Sequence, residues 1–400
     1  MLGGLGLRSE PLFFGAVVAY FASRKRLWTL VGVLVGALLV VRAVADAIYI
    51  YVPQYRFRND FRLLYGDALV ALRDGFSHLY DLNAQKAAVE GLGSGFYWSP
   101  FLNPPPLVWL AAPLTVLPFS TAILVWTLVI LAAAVLAWYL AAPGAGLTKA
   151  AFGLLWIGVV PVSFGLGVGQ SVALVAAAVA GCWWLAERNR PAAAGLALSL
   201  IVFKPQLAIL VPLCLVVSGH GRIFGAWLAA TMVMALVSLA MLGANGVSSY
   251  RDALALASQW QITRSYAVSG LIGTGPQLYA AQLTVVAATL AAAWRWRGRG
   301  TAIPIAAGIT GSLLFTPYVG FQDFAMLVVA GWLVLRERPT QWQVGLMVVG
   351  FALLQLVVVV LAVPIIAGEI LFLGLLLAPA AQAPRDLPGV RGVVRDQMAH

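Results

Sequence analysis

The chain has 400 residues, 62% of them hydrophobic and 10% charged, with a mean hydropathy of +0.92 and a formal net charge of +11. A soluble globular domain carries about a quarter of its residues as charges, so this composition excludes one and makes lipid the solvent. The Lys and Arg residues cluster between apolar stretches, a sign of membrane topology rather than of a nucleic-acid partner.

In chain order, residues 1–26 come first. The run 11–23 resembles a short signal-peptide core, yet Arg24-Lys25-Arg26 and a full span follow directly, so an interfacial or partly inserted helix with a cytoplasmic basic end is expected. The first span runs from about Leu27 to Val44. Residues 46–100 then form a first extracytoplasmic loop. Basic connectors at 187–190, 220–222, 295–299 and 336–338 belong in the cytoplasm. Lys204-Pro205-Gln206, a second large loop at 244–275, Thr316 to Asp323 and Pro364 to Glu369 belong outside. Between 100 and 187 four apolar segments can be drawn (104–118, 119–141, 150–163 and 170–186), while the orientation needs an odd number of crossings. The Pro-rich 104–118 and the Gly-broken SFGLGVGQS are the suspects for the one that does not cross. The expected architecture is all-α and polytopic, with roughly twelve transmembrane helices in a single domain over 27–380 and interfacial helices in the first loop. A polar tail, 381–400, is expected to be disordered and cytoplasmic. Cys182 and Cys214 lie in apolar segments and act as small hydrophobes. No metal-ligand constellation is visible, and no cofactor is expected.

Acids locate the chemistry. Six of the fourteen (Asp46, Asp60, Asp67, Asp74, Asp81 and Glu90) fall in the first loop, and few of the others suit bilayer depth, which argues against a midplane proton relay. Within FRLLYGDALVALRDGF, apolar residues recur at Phe61, Leu64, Tyr65, Ala68, Leu69, Leu72 and Phe76, the pattern of an amphipathic helix lying flat on the bilayer. Asp60 stands at its start, either as a helix-capping acid or as a reactive carboxylate. Asp67 and Asp74, one heptad apart, read as solvated face. Lys204 interrupts the apolar run LSLIVFKPQLAILVPL. Pro205 should break the helix there, presenting either an anion site for a lipid-linked phosphate or a snorkelling lysine. Asn103-Pro104-Pro105-Pro106, the bend GLGVGQS with Gln170, and Thr316-Pro317-Tyr318 to Asp323 fall on the same expected side and suit one outward-facing cavity. His78 is a loop histidine without an evident partner.

These stretches taken together resemble a known family. NDFRLLYGDALVALRDGFSHLYDLN, NPPPLVWLAAPLTVLPF, GVGQS, FKPQLAILVPL and TPYVGFQDFAML occur in an order similar to that of the GT-C type glycosyltransferases that use polyprenyl-phosphate sugars, specifically glycosyltransferase family 87, which contains bacterial mannosyltransferases. The resemblance implies a GT-C fold in the bacterial plasma membrane, with a catalytic acid in the first extracytoplasmic loop that maps onto Asp60. It also implies substrate-contacting roles for Lys204, Gln170 and Asp323. The last motif departs from the pattern: Tyr318-Val319-Gly320-Phe321-Gln322-Asp323 has no histidine where relatives commonly carry one.

The implied reaction is inverting sugar transfer, with Asp60 taking the proton of an acceptor hydroxyl. Lys204, with Arg58 and Arg62, would offset charge on the departing polyprenyl phosphate, and Asn103, Gln206 and Tyr318 complete the expected substrate contacts. The implied partners are a polyprenyl-phosphate sugar, with mannose the family's commonest assignment and arabinofuranose and others open, a glycolipid or glycan acceptor, and the bilayer. A transporter or flippase of a lipid-linked sugar is the alternative; it would need intramembrane charge and repeated halves.

Overall fold

The computed structural model describes residues 24–55, 60–93, 98–257, 264–357 and 362–377. The expectations for the N-terminal segment before residue 24, for the tail after 377 and for Arg58 therefore lie outside the described residues.

Every regular element among the described residues is helical. Helix α1 (Lys25–Asp46) runs on through a π-helical turn, Ala47–Tyr51, and a short helix, Val52–Tyr55. The first loop holds α2 (Phe61–Arg73), a 3-10 turn Phe76–His78 and α3 (Leu82–Glu90). Helix α4 (Pro105–Ala111) extends into a 3-10 stretch, Ala112–Val116. After it come α5 (Phe119–Ala141), α6 (Gly146–Gly158), α7 (Val160–Gly167) and α8 (Val172–Ala186). Helix α9 (Pro191–Ser199) continues as a 3-10 turn, Leu200–Phe203, and a second one, Pro205–Leu207, precedes α10 (Val211–Val217). The order closes with α11 (Gly221–Ala257), α12 (Pro276–Arg295), α13 (Ala302–Phe315), α14 (Ala325–Arg336), α15 (Gln341–Gln355) and α16 (Ala362–Leu377).

Among the described residues, four helices are long and apolar enough to cross a membrane: Arg26–Tyr51, Phe119–Ala141, Gly221–Ala257 and Pro276–Arg295. The pair α6 and α7, bent by 58°, makes a fifth if it is one span. Six more apolar helices are only 10–17 residues long, Pro105–Val116 and Val172–Ala186 among them. The roughly twelve crossings expected from hydropathy thus correspond to far fewer full-length helices. Pro and Gly break many apolar segments into half-length pieces. Between 100 and 187, the Pro-rich suspect, 105–116, is about 18 Å long at helical rise, shorter than the bilayer's apolar thickness; the Gly-broken suspect ends α7 at Gly167, ahead of Gly169 at φ 76°; and a third, separate break at Val159 (ψ 138°) ends α6 at Gly158.

Burial sorts the helices into layers. Helix α13 is buried from Ala302 to Leu314, the signature of a helix that is apolar all round and enclosed by others; α10, α12, α14 and α16 pack against it. Outer helices instead expose long apolar rows, such as Leu30, Leu34, Leu38 and Val41 on α1 and Met232, Val233, Leu236 and Leu239 on α11. Such surfaces belong against lipid tails. Helix α1 meets α6 through small residues: a Cβ added to Gly36 would lie 2.7 Å from Leu154 Cβ, and one on Gly158 would lie 2.5 Å from Leu39 Cβ. Gly32 and Gly36 form the four-residue spacing that lets two membrane helices approach closely.

Helix α11 is really two. Gly243 takes φ 60°, ψ −172° and breaks it. The piece from Gly221 to Leu242 is about 33 Å long, a bilayer's apolar thickness, and the piece beyond packs on the first loop, where Gly246 approaches the Ser77 carbonyl.

Three expectations are corrected. Helix α2 has no broad wet face, because Phe61, Arg62, Leu64, Tyr65, Gly66, Asp67, Ala68, Val70 and Ala71 are all buried under α3, α4 and the turns around them. Asp67 is accordingly not solvated: it is 1% exposed and neither carboxylate oxygen has a hydrogen-bond partner. Asp74 is the exposed end of the heptad, paired with Arg73 at 2.6 Å. Pro364 to Glu369 form no loop either; they lie inside α16, where Pro364 is tolerated in the first turn and Glu369 is buried, with Oε1 lacking a partner.

Candidate active site

The site begins where α2 begins. Phe61 inserts its ring between those of Trp126 (5.1 Å between centroids) and Phe119 (6.2 Å), both near-parallel to it, and the Tyr65 hydroxyl donates to the Leu117 carbonyl at 2.7 Å. These contacts fix the first turn of α2 against α5. Asp60, the residue before it, is held from the backbone as well, its N–H donating to the Val168 carbonyl at 2.8 Å.

Val168 belongs to the bend between α7 and α8. Gly169 supplies the positive φ of 76° that the turn needs. The Gln170 N–H closes the turn on the Gly165 carbonyl at 2.9 Å, and the Trp126 indole N–H donates to the Gly169 carbonyl at 2.8 Å. The turn therefore aims the Gln170 side chain at Asp60. Its Nε2 donates to Asp60 Oδ2, and its Oε1 accepts from Lys204 Nζ at 3.2 Å. An amide between an anion and a cation has one sensible orientation, N–H toward the carboxylate and carbonyl toward the ammonium.

Lys204 stands at the predicted break. Its backbone is extended (φ −155°, ψ 75°) between the two 3-10 turns, and the residue is 6% exposed, so it does not snorkel. Nζ donates to Asp323 Oδ1 at 2.5 Å, while Asp323 Oδ2 accepts the Gly320 N–H at 2.9 Å. An unbroken chain results: Asp60, Gln170, Lys204, Asp323. Four elements far apart in sequence supply one side chain each. No two of its members come from the same helix.

The Asp60 side chain makes no capping bond, which removes the cap reading. Burial raises its pKa above the usual carboxylate value, and the Gln170 hydrogen bond and the Lys204 charge pull part of the way back. Beside Asp323, Tyr318 is half-buried, and its phenol is pushed up to about 12 by burial and by the Asp323 charge. A small apolar cavity opens next to Gln170, walled by Trp156, Pro161, Gly165, Leu166 and Ala325.

Other nominated residues stand apart from this chain. Arg62 is buried and donates to the Val89 and Gly93 carbonyls (3.0 and 2.6 Å), bracing α2 on α3. Asn103 is half-buried, and its carbonyl accepts the Tyr80 hydroxyl at 2.8 Å. Gln206 is half-buried in the turn after Lys204. His78 ends the 3-10 turn of the first loop, within electrostatic reach of Asp74. Residues that sequence reasoning passed over include Tyr266, whose ring packs edge-on against Phe321 and Phe324 beside Asp323, and Tyr80 and Tyr250, which stack on each other. Tyrosine in an apolar sequence carries no signature of its own.

Lipid-facing helices around a buried array of carboxylate, amide and ammonium define an integral membrane protein with an enzyme-like site. The model of glycosyltransferase family 87 matches residues 101–317, more than half of the chain and the stretch that contributes Gln170 and Lys204. The chain belongs to that family and is a membrane glycosyltransferase. No curated protein and no solved structure matches it.

Proposed function

We propose that this protein is a GT-C type enzyme that transfers a sugar, mannose being the first to try, from a polyprenyl-phosphate donor to a glycolipid or glycan acceptor with inversion. The reaction takes place at the extracytoplasmic face of a bacterial plasma membrane. The observation that carries the reading is the bonded chain from Asp60 to Asp323 in a member of a glycosyltransferase family. Inverting transfer needs one base on one face of the sugar and a leaving phosphate on the other. Asp60 is that base. Its raised pKa brings it nearer the operating pH, where a general base works best. Gln170 orients the carboxylate, and Asp323 fixes Lys204. An ammonium has three donors, and two are engaged by Gln170 and Asp323; the third meets the phosphate oxygen of the donor. A donor whose hydrocarbon tail stays in the bilayer explains an enzyme made almost wholly of apolar helices.

The test uses purified protein in lipid nanodiscs with a panel of undecaprenyl-phosphate sugars. Wild type should consume one of them in the presence of acceptor lipid extract. Asp60→Asn should bind that donor with unchanged affinity and transfer nothing measurable. Full residual transfer by Asp60→Asn rejects the assignment.

A further inference from the structure

The two loops expected on the active-site side meet in a stack of aromatic rings. Phe101 and Tyr80 lie near-parallel with centroids 6.3 Å apart, and Tyr80 and Tyr250 stack at 4.2 Å with 26° between planes. Tyr80 is 1% exposed and forms the middle of the stack. Its hydroxyl donates to the Asn103 carbonyl at 2.8 Å, and that of Tyr250 donates to the neighbouring Leu102 carbonyl at 3.0 Å. Both phenols are thereby pinned to consecutive carbonyls of the segment before Pro104. Tyr250 ends the stack half-buried, with one ring face on Tyr80. Tyr318, also half-buried, stands within electrostatic reach of both Tyr250 and Asp323. The stack therefore borders the far end of the carboxylate chain.

A pinned ring with a neighbouring phenol is suited to one kind of ligand. The face of an aromatic ring is electron-rich and attracts the polarised C–H groups on one side of a pyranose, while phenols exchange hydrogen bonds with sugar hydroxyls. Rigid backing matters, because a ring already immobilised loses little freedom when it binds. Position selects which sugar. Tyr250 lies beyond the Gly243 break, past a segment already long enough to cross the bilayer, and Tyr80 belongs to the first loop. The platform thus follows a helix of membrane-crossing length and packs with the first loop rather than among the lipid-facing rows.

We propose that Tyr250, backed by Tyr80 and Phe101 and flanked by Tyr318, is the platform on which the acceptor's terminal sugar ring stacks. The assignment rests on the transferase reading for the word acceptor, but it makes a claim about binding that can be measured without turnover.

The experiment is saturation-transfer NMR on the full chain in nanodiscs, with methyl glycosides of mannose, glucose, galactose and arabinofuranose as probes. At least one should give difference signals concentrated on the C–H protons of one ring face. Tyr250→Ala and Tyr250→Leu should weaken that signal by roughly two- to tenfold, the worth of one ring contact, whereas Tyr250→Phe should retain it. An unchanged unfolding temperature in Tyr250→Leu shows that the loss is not a loss of fold. Equal signals from wild type and Tyr250→Leu, or no signal from any glycoside with wild type, overturn the platform. Asp60→Asn should leave the signal intact; if that variant also transfers sugar at the wild-type rate, the base assignment fails while the platform stands.

Discussion

Lys204 and the cations near the basic connectors of this helical bundle are satisfied in opposite ways. At the end bearing the basic connectors, cations bond to backbone. Arg336 donates to the Ala141 and Ala142 carbonyls (2.8 and 2.7 Å), Lys149 donates to Tyr139 (2.7 Å), and Arg188 donates to Trp184 while lying 3.6 Å over its ring. Three of those acceptors are the orphan carbonyls at the C-terminus of α5, where positive charge also meets the negative end of the helix. At the other end Lys204 bonds to two side chains, Gln170 and Asp323, brought from different elements. A cation satisfied by the nearest carbonyls finishes a helix. One satisfied only by side chains that the fold had to assemble marks a place where geometry is being held for something else.

Substitutions can break this contrast in order of expected size. The largest effect belongs to Asp60→Asn, which should lower transfer roughly 10²- to 10⁴-fold, the worth of a general base. Next is Lys204→Met. Removing one partner of a buried pair costs about 3–5 kcal/mol because Asp323 is left uncompensated, and adding Asp323→Leu should restore most of the stability in thermal unfolding while leaving activity low. A double variant no more stable than the single would show that the pair is not the source of the loss.

Gln170→Leu should be milder, about 1–3 kcal/mol for a lost buried hydrogen bond, and it carries a pH signature. The Gln170 bond favours ionised Asp60, so its removal raises the Asp60 pKa further. The acid limb of the kcat/KM profile should then move to higher pH, and a limb that stays put would separate Gln170 from the base. Asp67 differs from Asp60 in having no side-chain partner although it lies two turns along the same helix. Burial raises its pKa well above the usual carboxylate value. Its neutral form suits the fold, so its contribution is fully present below the unfolded value and is lost as pH rises toward the folded one. Asp67→Leu should leave transfer unchanged, raise stability by about 1–3 kcal/mol at neutral pH, and flatten the fall in stability with rising pH. The smallest effect belongs to the opposite end: Arg188→Ala should change stability by less than about 0.5 kcal/mol and activity not at all.

Much of the site was legible because each of its members interrupts something. Lys204 breaks an apolar run, Gln170 ends a Gly-rich bend, and Asp60 and Asp323 stand where apolar helices begin. Their mutual bonding was not legible, since nothing in sequence spacing relates positions 60, 170, 204 and 323. Asp67 was misread for a different reason. The apolar spacing in α2 marks one oily face, but the helix is covered on nearly every side, and periodicity reports only which face is more apolar. Glu369 was misread because the bias of basic connectors assigns a side to whatever lies between them and cannot tell a loop from a helix that carries a buried acid, as α16 does. Helix length was the least legible part: α7, α9 and α10 are each shorter than a bilayer's apolar thickness, and the Pro and Gly breaks that shorten them are averaged out when hydropathy is read over a long window.

The glycine contact between α1 and α6 has a bearing on biogenesis. Gly36 is synthesised about 120 residues before Gly158, so at 5–20 residues per second the first helix waits roughly 6–25 seconds in the bilayer without its mate. Through that interval its notched surface is open to any other small-residue helix. Filling the notch with Gly36→Leu should therefore reduce the yield of correctly assembled protein in the membrane even when the rare molecules that do assemble turn over normally.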